Sequence, residues 1–503
     1  MVNKNTAELY EQYKVALQKI ADLKFSAAVL QWDQETYMPV KSLTTRARQL
    51  ATLTETAHNF FTEEKMGNLL EELSQRTNLN ENKKRNVELS LYDFNKERKL
   101  SSEFVRSLSV AVSRSFQSWM DARRSNSFDI FEQNLNLLIQ LKKAETQQLG
   151  YEGHPYNALL NEYERGCTVM LLDNTFHLIR QPLKDLITNI STQPQVNDDF
   201  LTQPFAKQQQ WNFGIELIKK LGFDFEAGRQ DISEHPFTTN FSSKDVRITT
   251  RIDENHFGNM TWSCLHELGH ALYEQGLPEE EYGLPLSEYA SLSIHESQSR
   301  LWENNVGRSE GFWKHYIQLL RPFFPGQFDN VDARSFFKGI NKVQPSLIRT
   351  EADELTYHFH VMIRYELEKL LIAGELSAKD IPAYWNEQYK KYLGLEVPDD
   401  KRGCLQDVHW SHGSFGYFPT YSLGSLYAAQ FFATAEKKVP SLEKDIAEGK
   451  TDELLSWLRK NVHQYGRKFT SAQLCEHITG ETLNVSYFLD YATRKYRDIY
   501  NFN

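Results

Sequence analysis

The five residues His266-Glu267-Leu268-Gly269-His270 hold the most specific chemistry in the chain. On an α-helix, His266 and His270 sit one turn apart on one face, where two imidazole nitrogens can converge on a single metal ion. Glu267 then points at a water or substrate on that metal. Trp262, Leu265, Gly269 and Leu272 recur at helical spacing and predict a buried face, and Gly276 followed by Pro278 predicts the helix stop. A catalytic zinc site needs a third protein ligand and leaves the fourth position to water. Glu296, within His295-Glu296-Ser297-Gln298, is the candidate. Ser287 reads as an N-cap, Glu288 and Tyr289 as a helix start and Gly307 as its end. The 26 positions after His270 leave room for a loop and an antiparallel return. His295 competes as ligand but faces about 100° away on the same helix. A solvent-facing glutamate is the plainer alternative for Glu296.

Such a site implies hydrolysis. Zinc lowers the pKa of a bound water towards about 7, Glu267 takes its proton as the water attacks a polarised carbonyl, and Glu267 returns it to the departing amine. A donor must meet the charge that develops on the carbonyl oxygen, and a tyrosine hydroxyl or a histidine suits. The segment from His409 to Tyr421 is dense in both. It also reads as a glycine-loosened aromatic loop packed on the core.

The elements that must position these groups are mostly helices. Leu9, Tyr13, Leu17, Ile20 and Leu23 set a helical period over residues 6–31, and segments near 43–76, 80–97, 101–124 and 127–149 repeat it. Ser101 or Ser102, and Ser127, read as helix starts. Val246, Ile248, Thr250 and Ile252 alternate instead, predicting a half-buried strand that turns back through Asn240–Lys244 onto Thr238 and Thr239. That small sheet would wall a cleft or form a plain structural hairpin. The 503 residues contain 40% hydrophobic and 25% charged residues and no linker-like run, so one α-rich body over 1–503, with room for two lobes around a cleft, is expected. The net charge of -10 argues against nucleic acid or an anionic membrane as partner, and the mixed run Lys96–Lys99 reads as a solvated face. Four scattered cysteines without a CxxC suit a reducing cytoplasm, with Cys264 as a buried thiol. No secretory h-region and no long apolar span is visible, so no membrane insertion is expected.

Six ordered motifs then make the chain resemble the carboxypeptidase Taq family, also called thermostable carboxypeptidase 1. They are His235-Pro236-Phe237, Asp245-Val246-Arg247-Ile248-Thr249, the HExxH, His295–Gln298, Ile348-Arg349-Thr350-Glu351-Ala352-Asp353, and Gly403–Trp410, with Trp32-Asp33-Gln34-Glu35-Thr36 ahead of them. The resemblance implies a mainly α, large helical peptidase fold like that of neurolysin, with a deep active-site groove and a small β-sheet beside the HExxH helix. It implies His266, His270 and Glu296 around one Zn2+ per chain, with Co2+ able to substitute, a homodimer, and removal of single residues from peptide C-termini with broad specificity. His235 enters as a substrate contact on the same ground.

An enzyme that trims C-termini must hold a free carboxylate, and Arg349 offers a planar fork for it. Asp353 lies four residues on along a helix and would orient that fork, since i,i+4 pairs face each other; an ordinary buried ion pair is the alternative. Arg247 is a second carboxylate candidate or the partner of Asp245. Gln406 and His409 could hydrogen-bond the substrate backbone. Tyr421 is the oxyanion donor by analogy with related peptidases, with Tyr417 and His412 beside it. His358 and His360, two apart, read as packing or surface residues. An oligopeptidase or dipeptidyl carboxypeptidase would use the same metal site. A non-catalytic helical scaffold with a relic site would have no use for Glu267. A groove lidded by the N-terminal helices would favour short peptides.

Overall fold

A computed structural model describes residues 5–502. Among the described residues the chain forms twenty α-helices and one three-stranded sheet, so the fold is mainly α as expected. No helix among them is long and apolar enough to cross a membrane. Local chemistry explains the helix starts. Asn5 and Glu8 form a capping box that opens the Thr6–Thr36 helix, and Ser101 caps Ser102–Ser125 by accepting from the Phe104 amide. Ser127 caps nothing: the next helix begins at Asp129 without a side-chain cap. The expected 43–76 segment is two helices, Leu43–Thr62 and Glu64–Ser74, because Glu63 turns extended (ψ 141°) between them.

The chain divides into two compact units. One comprises Met1–Arg98, Asn197–Ile340 and Phe431–Thr482; the other comprises Lys99–Val196, Asn341–Gln430 and Leu483–Asn503. The first unit holds the sheet and the HExxH helix, Phe257–Glu274. The predicted hairpin is present as β2 (Thr238–Ser242) antiparallel to β3 (Asp245–Thr250), shorter than expected because the strand stops before Ile252. An unexpected strand, β1 (Gly228–Ile232), pairs parallel to β3 and makes it central. Val246, Ile248 and Thr250 are buried as the alternation requires; Thr249 is buried too, its hydroxyl bonded to the Ser233 hydroxyl and accepting from the Phe237 amide.

Phenylalanines anchor the start of the HExxH helix. The rings of Phe205, Phe213, Phe324, Phe328 and Phe336 lie 5.1–6.0 Å from that of Phe257. Each such buried side chain contributes roughly 1.5–3 kcal/mol, so the helix is held firmly at the end from which its histidines are measured.

In the second unit, the Tyr357–Ala373 helix is buried on nearly every side. His358 and His360 are fully buried there, paired at 3.0 Å with the Ser422 hydroxyl and the Tyr389 hydroxyl respectively, so they serve packing.

Candidate functional site

Gly269 lets two helices close on each other. A Cβ at this position would lie 2.4 Å from the Gln298 carbonyl oxygen and 2.5 Å from the Ser299 Cα. The approach brings the Leu292–Arg300 helix onto the HExxH helix and Glu296 onto both histidines. Glu296 Oε2 stands 3.5 Å from His266 Nε2 and 3.5 Å from His270 Nε2. Ligand atoms of the three residues all lie within 4.8 Å of one another. Two imidazole nitrogens and one carboxylate oxygen, converging and largely shielded from water, are the donor set a catalytic zinc ion takes. The residues fit the group.

The helix carrying Glu296 starts later than expected. Ser291, not Ser287, caps it by accepting from the Ile294 amide, while Ser287 closes a short 3-10 turn and Glu288 is extended. It also does not run straight to Gly307: residues Leu301–Val306 form a π-helical turn. That turn places Glu303 behind the first histidine, where its Oε2 lies 2.9 Å from His266 Nδ1. Such a carboxylate fixes the imidazole tautomer, leaving Nε2 to the metal. Arg300 joins both acids, donating from Nε to Glu296 Oε1 at 2.7 Å and from Nη1 to Glu303 Oε2 at 3.2 Å.

Neighbouring charges and burial set the protonation of the three converging groups. Burial would favour a neutral Glu296, but Arg300 and the two histidines outweigh it and hold the carboxyl well below the usual range. Burial, helped by His295, pulls His270 down to about 3 and leaves its lone pairs available. His266 is raised, because Glu296 and Glu303 overcome its burial. His295 is not a ligand. Its Nε2 pairs with Glu274 Oε1 at 2.8 Å and its ring stacks on His270 at 4.3 Å.

Glu267, only 6% exposed, receives a 2.6 Å hydrogen bond on Oε2 from the Thr238 hydroxyl of β2. Burial pushes its carboxyl up, against the pull of His266 and Thr238, towards the proton affinity a general base needs. The other sheet candidates behave differently. Arg247 forms a two-pronged pair with Asp245 (2.9 and 3.0 Å) and lies over the rings of Trp32 (4.2 Å) and Phe241 (4.8 Å). It pins the end of the first helix and realises the ion-pair alternative. His235 is exposed, and its carbonyl accepts from the Ser233 hydroxyl.

The second unit gathers the remaining candidates. Arg349 lies on a single 3-10 turn (Arg349–Glu351), so Asp353 does not face it along a helix as expected. Asp353 instead accepts from the Leu355 and Thr356 amides. The partner of Arg349 is Asp407, 3.0 Å from its Nε, and Tyr357 accepts from its Nη1 at 3.1 Å. Arg364 binds the other Asp407 oxygen at 2.7 Å. Against the effect of burial, the two arginines hold Asp407 well below the usual carboxylate range. Two guanidiniums thus share one carboxylate, and the buried cluster is left with a surplus positive charge.

Gln406 is committed inside this network: its Oε1 accepts from the Arg349 amide and from Arg364, and its Nε2 donates to the Leu347 carbonyl. Tyr421 stacks under Arg349 at 4.8 Å, and its hydroxyl lies 3.1 Å from His409 Nε2. Burial beside Arg349 pulls His409 down to about 3, so it is neutral. Tyr417 meets Tyr163 edge-on at 5.2 Å, while His412 is exposed beside Phe116.

The comparisons with known proteins agree with one another. A family model described as carboxypeptidase Taq (M32) metallopeptidase matches residues 12–496. Thermostable carboxypeptidase 1 of Thermus thermophilus is 38% identical over 486 residues, covering 94% of this chain and 95% of that protein. Among solved structures, one called CHT is 55% identical with a TM-score of 0.96, over 97% of this chain and 99% of its own. The M32 carboxypeptidase of Deinococcus radiodurans R1 is 38% identical, also at a TM-score of 0.96, over 98% and 100%.

Proposed function

The chain belongs to the carboxypeptidase Taq (M32) metallopeptidase family, and from that premise we propose that it is a zinc enzyme removing single residues from the free C-termini of peptides, with broad specificity. The observation that carries this reading is the convergence of His266, His270 and Glu296 beside a Glu267 whose carboxylate is gripped by Thr238. Zinc held by those three residues would supply Lewis acidity, with cobalt able to substitute.

The chain's own groups supply the rest. Glu267 takes the proton of the attacking water at its carboxylate and delivers it to the departing amine nitrogen. Thr238 restrains one oxygen of that carboxylate, so the proton has one acceptor of defined direction. Arg349, with the surplus charge that Asp407 leaves uncancelled, recognises the α-carboxylate that defines a C-terminus. Tyr421, polarised by neutral His409, offers its hydroxyl to the oxygen on which negative charge develops. The buried, free cysteines support a reducing cytoplasm, and the homodimer rests on the family alone.

The test is mass spectrometry of a free-C-terminus peptide and its amidated twin with metal-loaded protein. Stepwise loss of single residues from the free peptide only, abolished in Glu267→Gln, is expected. Equal internal cleavage of both peptides would replace this reading with an oligopeptidase, and loss of residues in pairs with a dipeptidyl enzyme.

A further inference from the structure

Glu368 is a fully buried acid with no part in the chemistry above. It lies on the Tyr357–Ala373 helix and holds the loop that follows the 3-10 turn His409–His412. Its Oε1 accepts from the Trp410 indole nitrogen at 2.7 Å. Its Oε2 accepts from the Gly416 amide at 2.8 Å and from the Tyr156 hydroxyl. Between those two attachments the chain turns at Gly413 (φ 72°) and Gly416 (φ 100°), where a Cβ would meet the Leu159 carbonyl at 2.7 Å. His409, His412 and Tyr417 all ride on or beside this stretch.

We propose that Glu368 is a positioning residue: its carboxylate ties both ends of the 410–416 loop and so sets the place of His409, which in the proposed mechanism polarises Tyr421, with His412 and Tyr417 carried beside it. This rests on the peptidase reading given above. The chemistry of the three donors carries the argument. An indole N–H and a backbone N–H cannot reverse their role, and each faces a different carboxylate oxygen. A glutamine must therefore point its own N–H at one of them, whichever way it is turned. Tyr156, by contrast, has a hydroxyl that can rotate and accept. A carboxylate in so buried a place is costly, as the shift of its pKa up to about 7 by burial shows. An apolar side chain would fill the space more cheaply if filling were its only purpose.

Three variants test this by hydrogen exchange of the 409–418 segment, alongside kcat, KM and metal content. Glu368→Gln is expected to speed exchange in that segment and to lower kcat about tenfold with little change in KM, because one buried donor loses its acceptor and the loosened segment moves His409 from Tyr421. Tyr156→Phe removes a hydrogen bond from the same carboxylate but not from the loop, and is expected to match wild type in both readouts. Trp410→Phe removes one loop attachment and leaves the acid in place. It should loosen the segment as Glu368→Gln does, and it decides the matter if Glu368→Gln does not fold. Wild-type exchange in the loop variants, or equal effects of Tyr156→Phe and Glu368→Gln, would overturn the proposal. A wild-type protein that releases no residue from any peptide would instead overturn the peptidase reading, and the exchange arm would still decide the loop.

Discussion

Thr238 donates its hydroxyl to Glu267, and in the proposed mechanism that single hydrogen bond sets where a proton is delivered. Thr238→Val, of similar shape, should lower kcat/KM about tenfold through loss of a hydrogen bond to a charged acceptor, and Thr238→Ser should restore most of it. Steady-state kinetics of both variants with equal metal content checks this; a Val variant as active as wild type would remove Thr238 from the mechanism. Glu303 acts on the other side of the site. Glu303→Gln keeps the volume but loses the charge facing His266 Nδ1, and metal affinity should fall roughly 10–100-fold. Competition against a chromogenic chelator reads that directly. The sequence made His266, Glu267 and His270 visible because chemistry ties their types to a helical spacing, and Glu296 because it sits in one of the ordered motifs. Neither Thr238 nor Glu303 belongs to such a motif. The first depends on the register of β2 against β3; the second lies seven residues after Glu296, a spacing suggestive of one helix face but displaced here by a π-helical turn.

At the scale of elements, the contact between the two ligand-bearing helices turns on a missing methyl group. Gly269→Ala would press a Cβ against the backbone at Gln298 and Ser299, and overpacking of this kind costs about 1–3 kcal/mol. Urea unfolding should show that loss together with weaker metal binding, since the same shift moves Glu296 away from His270. A second seam is closed by His463. It is buried against Gly276 and Tyr273 and lies 3.1 Å from Gln298 Oε1. Burial pulls its pKa down to about 3, from about 6.5 when unfolded. The unfolded chain therefore binds the extra proton between those values. The stabilisation is complete above pH 6.5 and is lost as pH falls towards 3, at up to about 1.4 kcal/mol per pH unit. His463→Gln should flatten that part of the curve, measured as urea midpoints between pH 7 and pH 4. Elements were readable where periodicity is strong, as in the long helices and the β2–β3 hairpin. β1 was not, because Gly228-Arg229-Gln230-Asp231-Ile232 is largely polar and pairs in parallel without a turn to announce it. The Ser291 cap was a local signal that competed with an equally plausible serine at 287, and Glu63 carries no proline or glycine to announce the break there.

For the molecule as a whole, a metal that binds only the folded chain stabilises it by mass action, about 2.7 kcal/mol at a free concentration one hundred times Kd. Scanning calorimetry should show a lower transition temperature after chelation, restored by zinc; an unmoved transition would separate the His266–His270–Glu296 cluster from metal binding. Each of the two units is assembled from three stretches that are far apart in sequence, and the chain changes unit at five points. A ribosome emits these stretches in order. The first unit still lacks a segment until residue 482 has left the exit tunnel, and the second lacks one until the stretch that begins at Leu483 has followed. The helices that carry His266, His270 and Glu296 are thus made well before the last strip of their own unit arrives, so the three candidate metal-binding side chains leave the ribosome before the unit that buries them is complete.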